Sequence, residues 1–144
     1  MDAELDETSV NDVSETENVI VSQWRDVSAD EQHELRHRFD AILRPLGFEI
    51  RLVVMRRASS IAFYFICLTL SAVMSLRDQW DSRQLRDIVQ ELFTLLSGIT
   101  RTVKVKRLSW PLTDYERCLE FFSSVHGKQI ASSKIASVLY FRHI

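Results

Sequence analysis

An α+β two-layer sandwich is the fold class that this 144-residue sequence predicts. Three observations carry the prediction. Apolar stripes of helical period alternate along the chain with runs of strand character. Each stripe follows a Ser, Asp or Thr paired with a Glu or Gln three residues on, the signature of a helix start. Only 3 Gly and 2 Pro are present, too few for a many-turned β-sandwich or a Pro-rich linker. A chain of 144 residues can bury one core but not two ordinary ones.

Taken in order, Val19-Ile20-Val21 is a β-branched run and predicts a short edge strand. Ser28 and Glu31 then form a capping box, in which each side chain satisfies the other's free backbone N–H. The helix it opens carries Leu35, Phe39, Ile42, Leu43 and Leu46 on one stripe and stops at Pro45-Leu46-Gly47. Phe48–Met55 reads as a strand, Arg56-Arg57 as a basic turn, and the apolar run from Ile61 to Leu70 as the returning strand. Asp81 and Gln84 make a second capping box, before the stripe Leu85, Ile88, Val89, Leu92 and Leu96, which Gly98 ends. Thr100–Leu108 alternates as a strand does. Thr113 and Glu116 make the third box, before Leu119, Phe122 and Val125, with Gly127 as the stop. The order is β, α, β, β, α, β, α. Its first six elements match the split β-α-β arrangement of ferredoxin-like sheets, an antiparallel sheet with helices on one face.

Charge divides the chain. Residues 1–21 hold seven acids and no base, while 22–144 hold 13 acids and 18 bases. The expectation is an acidic disordered leader over 1–18, a sandwich domain over 19–127, and a tail over 128–144 that periodicity leaves unassigned. Met1–Glu17 is acidic, unlike the basic-then-apolar start of a secretory signal.

Several chemistries are argued down. Cys67 and Cys118 form no CxxC and suit a reducing compartment, with a buried Cys serving as a small apolar residue. Gly47, Gly98 and Gly127 all fall at helix ends, so no Gly-rich phosphate cradle exists. His33-Glu34-Leu35-Arg36-His37 spells the HExxH of zinc proteases. Both His, however, fall opposite the apolar stripe, where there is no cleft, and His126 and His143 offer no third-ligand spacing. Ala58–Leu76 is 19 residues without a charge and could span a bilayer. Five of those residues are Ser or Thr, and its densest part is rich in β-formers, as a buried strand would be. Arg101, Lys104, Lys106 and Arg107 on one strand, with Arg51, Arg56 and Arg57 by the hairpin, could track phosphates of a nucleic acid. Phe63-Tyr64-Phe65 is the only aromatic cluster on a strand, and no Gly-aromatic signature of an RNA-binding sheet accompanies it.

Arg77–Ser123 carries an amphipathic helix after Trp80, an alternating strand, and a last helix with Glu116-Arg117-Cys118-Leu119. Upstream stands the hairpin LVVMRRASSIAFYFIC, a strand, a basic turn and a strand with a Cys near its end. Over about residues 19–126 this resembles the N-terminal domain of the TRADD family of tumour-necrosis-factor-receptor adaptors. The resemblance implies an α/β sandwich without catalytic residues, cofactor or metal. It further implies a cytoplasmic signalling adaptor, docking a tumour-necrosis-factor-receptor-associated-factor-like domain through its first strand and hairpin turn. In this sequence that surface would hold Val19, Val21, Met55, Arg56 and Arg57, and the two arginines would draw an acidic partner.

Overall fold

The structure is a computed structural model and describes residues 2–5, 10–57, 60–98, 103–124 and 137–139. Its elements are β1 (Asp2–Leu5), α1 (Val10–Ala29), α2 (Arg36–Leu43) with a 3-10 turn at Arg44–Leu46, β2 (Ile50–Arg57), β3 (Ile61–Cys67), α3 (Leu70–Asp81), α4 (Gln84–Ser97), β4 (Val105–Ser109), α5 (Leu112–Ser124) and β5 (Ser137–Leu139). The strands form one antiparallel sheet in the order β2-β3-β1-β4. That order belongs to two interleaved split β-α-β units, as the sequence predicts. β5 joins β3 beyond the stretch that β1 occupies, with Phe65 opposite Leu139.

The N-terminal expectations are corrected. Residues 2–5 are not disordered: they are the strand between β3 and β4. Acidic composition conceals an alternation, with Ala3 and Leu5 buried in the core while Glu4 opposes Arg107 of β4. Val19–Val21 is no strand but the middle of α1. Ile20, Val21, Trp24 and Val27 repeat at helical spacing and pack into the core, and that burial overrides the weak strand preference of three β-branched residues.

Helix starts also differ. The Ser28–Glu31 box does not open a helix. α1 runs through Ser28, whose Oγ donates to the carbonyl of Arg25, and α2 begins only at Arg36. At Asp81–Gln84 the chain turns sharply between α3 and α4. Arg83 is the N-cap residue there and stands in the left-handed region at φ 67°. α5 starts at Leu112, ahead of Thr113, with the Pro111 carbonyl accepting from Asp114 and Tyr115. The one side-chain cap recorded among the described helix starts is Thr69, whose Oγ1 accepts from Ala72 N at 3.1 Å. It splits the uncharged run Ala58–Leu76 into β3 and α3. No described helix is long and apolar enough to cross a membrane.

One face of the sheet carries the core. Ile61, Phe63, Phe65 and Cys67 of β3 meet Val73 and Leu76 of α3 and the α4 stripe Leu85, Ile88, Val89, Leu92 and Leu96. Phe63 stands edge-on to Phe65 and to Phe93, with centroids 5.7 and 6.0 Å away. Both edge strands are bulged. Val53 is an extra residue in β2 and Lys106 in β4. Bulges and exposed charges at sheet edges hinder uncontrolled strand pairing. The edge of β4 is also clamped. Gln90 of α4 donates to Val103 O and accepts from Val105 N, both at 2.7 Å, and Arg86 donates to Val105 O at 2.9 Å. The predicted strand residues 100–102, Arg101 among them, lie outside the described residues, as do His126, Gly127, His143 and most of the tail.

Candidate docking edge

The bulge at Val53 decides where the hairpin arginines point. Before it, Ile50 and Leu52 oppose Cys67 and Phe65; after it, Met55 and Arg57 oppose Phe63 and Ile61 on the helix side. Met55 is therefore core, 1% exposed, and so is Val21 at 3%. Arg57 reaches α1, where Nη1 donates to Glu17 Oε1 at 2.9 Å and to Ser14 O at 3.0 Å. Arg56 stays on the outer face, and its Nη2 donates to Tyr64 OH at 2.8 Å. Of the five predicted surface residues, Val21 and Met55 are core and Arg57 is spent on an internal ion pair. Val19 lies half-buried on a helix, leaving Arg56 alone exposed on a strand edge.

The zinc pattern does not assemble. His33 lies in the turn before α2, its Nδ1 accepting from Leu35 N at 3.1 Å, so it and His37 do not share a helix. Among the described residues no group of three His, Cys, Asp or Glu could hold a metal. The thiols are buried. Burial first, and then Cys118, push Cys67 up to about 12; burial and then Asp114 push Cys118 up to about 11. A thiol so raised is not a nucleophile at neutral pH.

The outer sheet face carries no stacking platform among the described residues. Phe63 and Phe65 point into the core, and the face holds the Glu4–Arg107 and Arg56–Tyr64 pairs. Tyr64 is the one aromatic ring of β3 on that face, and it is buried with the Arg56 guanidinium over it, so it offers a base no open ring to stack on.

A better surface lies along the first half of β2. Gly47, at φ 85°, ends the 3-10 turn in a conformation that only glycine adopts without strain. It turns the chain between buried Leu46 and Phe48, which is 94% exposed. The next residue is anchored: Glu49 O accepts from Leu68 N at 2.9 Å, and its carboxylate accepts from Thr69 Oγ1 at 2.8 Å. Phe48 is thus presented to solvent by a fixed turn. Beside it a groove of about 550 Å3 runs between α2 and β2, with Phe39, Leu43, Leu46, Ile50 and Leu52 as its apolar lining. Arg36, Arg44 and Arg51 rim it. Asp40, the one acid there among the described residues, is paired with Arg36 at 3.2 Å. On the other side of Phe48 a second depression of about 430 Å3 reaches Ser71 and Ser75 of α3. The sequence predicts Phe48 as the first residue of a strand, whereas β2 begins at Ile50 and Phe48 stands in the turn before it. The signal was there in Pro45-Leu46-Gly47, which stops a helix and leaves the next apolar residue outside any element.

Comparison with protein-family models, curated proteins and solved structures finds no match for this chain.

Proposed function

We propose that this chain is a non-enzymatic, cytoplasmic interaction module of adaptor type, which docks an acidic, apolar-anchored segment of a partner protein along β2. The observation that carries the reading is Phe48. Exposing a whole phenylalanine to water forfeits about 1.5–3 kcal/mol of burial, and here a rigid turn holds it beside an apolar groove. A single exposed apolar residue is ordinary, but an aromatic ring set against an apolar groove gives a partner a buried anchor around which an interface can form. Charge selects the partner: Arg44 and Arg51 have no acidic partner among the described residues, so an acidic segment would be drawn and set in register. Among the described residues β2 pairs only with β3, and its stretch before the Val53 bulge leaves an outer backbone edge for strand addition. A tumour-necrosis-factor-receptor-associated-factor-like domain, the partner implied by the family resemblance, is the first candidate to test.

The test is titration calorimetry with that purified domain, and affinity capture with the full chain, each repeated with Phe48→Ser and Arg51→Glu. The expected result is a partner bound by the wild type and lost at least tenfold in both variants, about 1.4 kcal/mol, with unchanged circular dichroism. A partner held equally by all three proteins overturns this surface, and the absence of any protein partner overturns the adaptor reading.

A further inference from the structure

At the opposite edge of the sheet, the α3–α4 turn and β4 enclose a cleft of about 300 Å3 with Trp80 as an apolar wall. Four cations line it: Arg83, Arg86, Lys106 and Arg107. Their charges are unequally compensated. Arg107 is paired with Glu4. Asp81, the only acid in the lining among the described residues, lies 3.7 Å from Arg77, which is outside the cleft. Arg86 donates to the carbonyls of Val105 and Lys106, contacts that orient the guanidinium without neutralising it. Arg83 and Lys106 are exposed and have no acidic partner among the described residues. Three positive charges therefore converge on one concavity, one of them already fixed in direction.

Two backbone irregularities place these cations. Lys106 is the bulged residue of β4, and Arg83 stands at φ 67° in the turn. Left-handed backbone at a non-glycine residue costs free energy and is found disproportionately at functional sites.

We propose that this cleft binds a phosphate monoester, the phosphoryl group between Arg83, Arg86 and Lys106 and its organic body against Trp80. A dianion with three acceptor oxygens matches three convergent donors, and guanidinium groups bind such oxygens in pairs. A carboxylate or a sulfate ester brings a single charge and would bind less well. Phosphorylated peptides and small phosphate esters share this chemistry.

The experiment is a two-dimensional NMR titration of the full chain with phenyl phosphate, phenyl sulfate, inorganic phosphate and a phosphotyrosine peptide. The expected result is saturable shifts at the Trp80 indole and the 81–86 and 106–108 amides, with phenyl phosphate tighter than the sulfate ester and than inorganic phosphate. Arg83→Gly, which relieves the backbone while removing the charge, and Lys106→Gln should each weaken phenyl phosphate roughly tenfold. Arg51→Gln, on the far edge, should leave it unchanged. A peptide bound more tightly than phenyl phosphate identifies a protein source; equal binding identifies a small molecule. No saturation at about 10 mM ligand, or equal weakening by Arg51→Gln, overturns the site. Neither result bears on the β2 docking reading.

Discussion

Arg57 Nη1 lies 2.9 Å from Glu17 Oε1, and this pair ties the end of β2 to α1 across 40 residues of sequence. The Glu17 side chain is only 6% exposed. Its carboxylate is held on the helix side of the sheet by a guanidinium that the Val53 bulge rotated inward. Removing one partner of a buried charge pair costs more than the pair itself contributes, because the remaining charge stays buried with less compensation. Arg57→Met is expected to cost about 2 kcal/mol. Arg56→Met, on the outer face, should cost less than about 1 kcal/mol. Urea unfolding of the two variants checks the order, and equal losses would mean the bulge does not set their roles.

That contrast measures what the sequence made legible. The α4 stripe was readable because five apolar residues at 3.6 spacing have one structural solution, and all five are core. The β2–β3 hairpin and the α+β class followed from element order, but the first strand of that order falls at Asp2–Leu5 and not at Val19–Val21. Arg56 and Arg57 were not separable, because a bulge has no sequence signature in LVVMRR and a one-residue slip exchanges the two faces. β1 was missed because four residues carry too short an alternation to stand out against seven acids. The docking groove was invisible because its lining comes from a helix and a strand that only tertiary packing brings together.

Gln90 occupies the edge of β4 as a strand would, one amide group serving Val103 O and Val105 N. Gln90→Ala removes both bonds and is expected to lower stability by about 1–3 kcal/mol. It also uncovers strand edge, so self-association should rise. Thermal unfolding and size-exclusion chromatography at several concentrations would show both effects; a monomer of unchanged stability contradicts the clamp.

The thiols give a pH dependence with a definite sign. Cys67 and Cys118 rise from an ordinary 9.0 to about 12 and about 11 in the folded protein. The unfolded chain therefore loses these protons first, so stability is intact below pH 9.0 and falls as pH climbs toward the folded values. Below pH 9.0 neither thiol should react with a disulfide reagent until the chain unfolds. Fast labelling of the native protein at pH 8 would refute the burial.

Phe48→Ser is the complement of a core mutation. The side chain packs on almost nothing, so stability should change by less than about 0.5 kcal/mol, whereas Phe63→Ala should cost roughly 3–5 kcal/mol. Chemical denaturation of both variants tests this, and a large loss at Phe48 would show the ring to be internal.

Arg83→Gly should stabilise. Glycine adopts φ 67° without the Cβ clash that arginine bears there. The expected gain is about 0.5–1 kcal/mol after the greater freedom of glycine in the unfolded chain is offset. A raised melting temperature in differential scanning calorimetry confirms it; a lowered one means the arginine side chain contributes more than its backbone loses.

The placement of β1 sets a timetable for synthesis. Glu4 meets Arg107, 103 positions later. At about 5–20 residues per second, a nascent chain carries this strand without that flank for roughly 5–20 s. The β2–β3 hairpin closes locally well before then. Until β4 emerges, β1 lacks its outer partner, and the strand it lies against, Ile61–Cys67 of β3, is the most apolar of the described strands. The acids flanking and within the first strand, Asp2, Glu4, Asp6 and Glu7, thereby act as a solubilising escort, keeping a sticky half-built sheet apart from its neighbours on the same messenger.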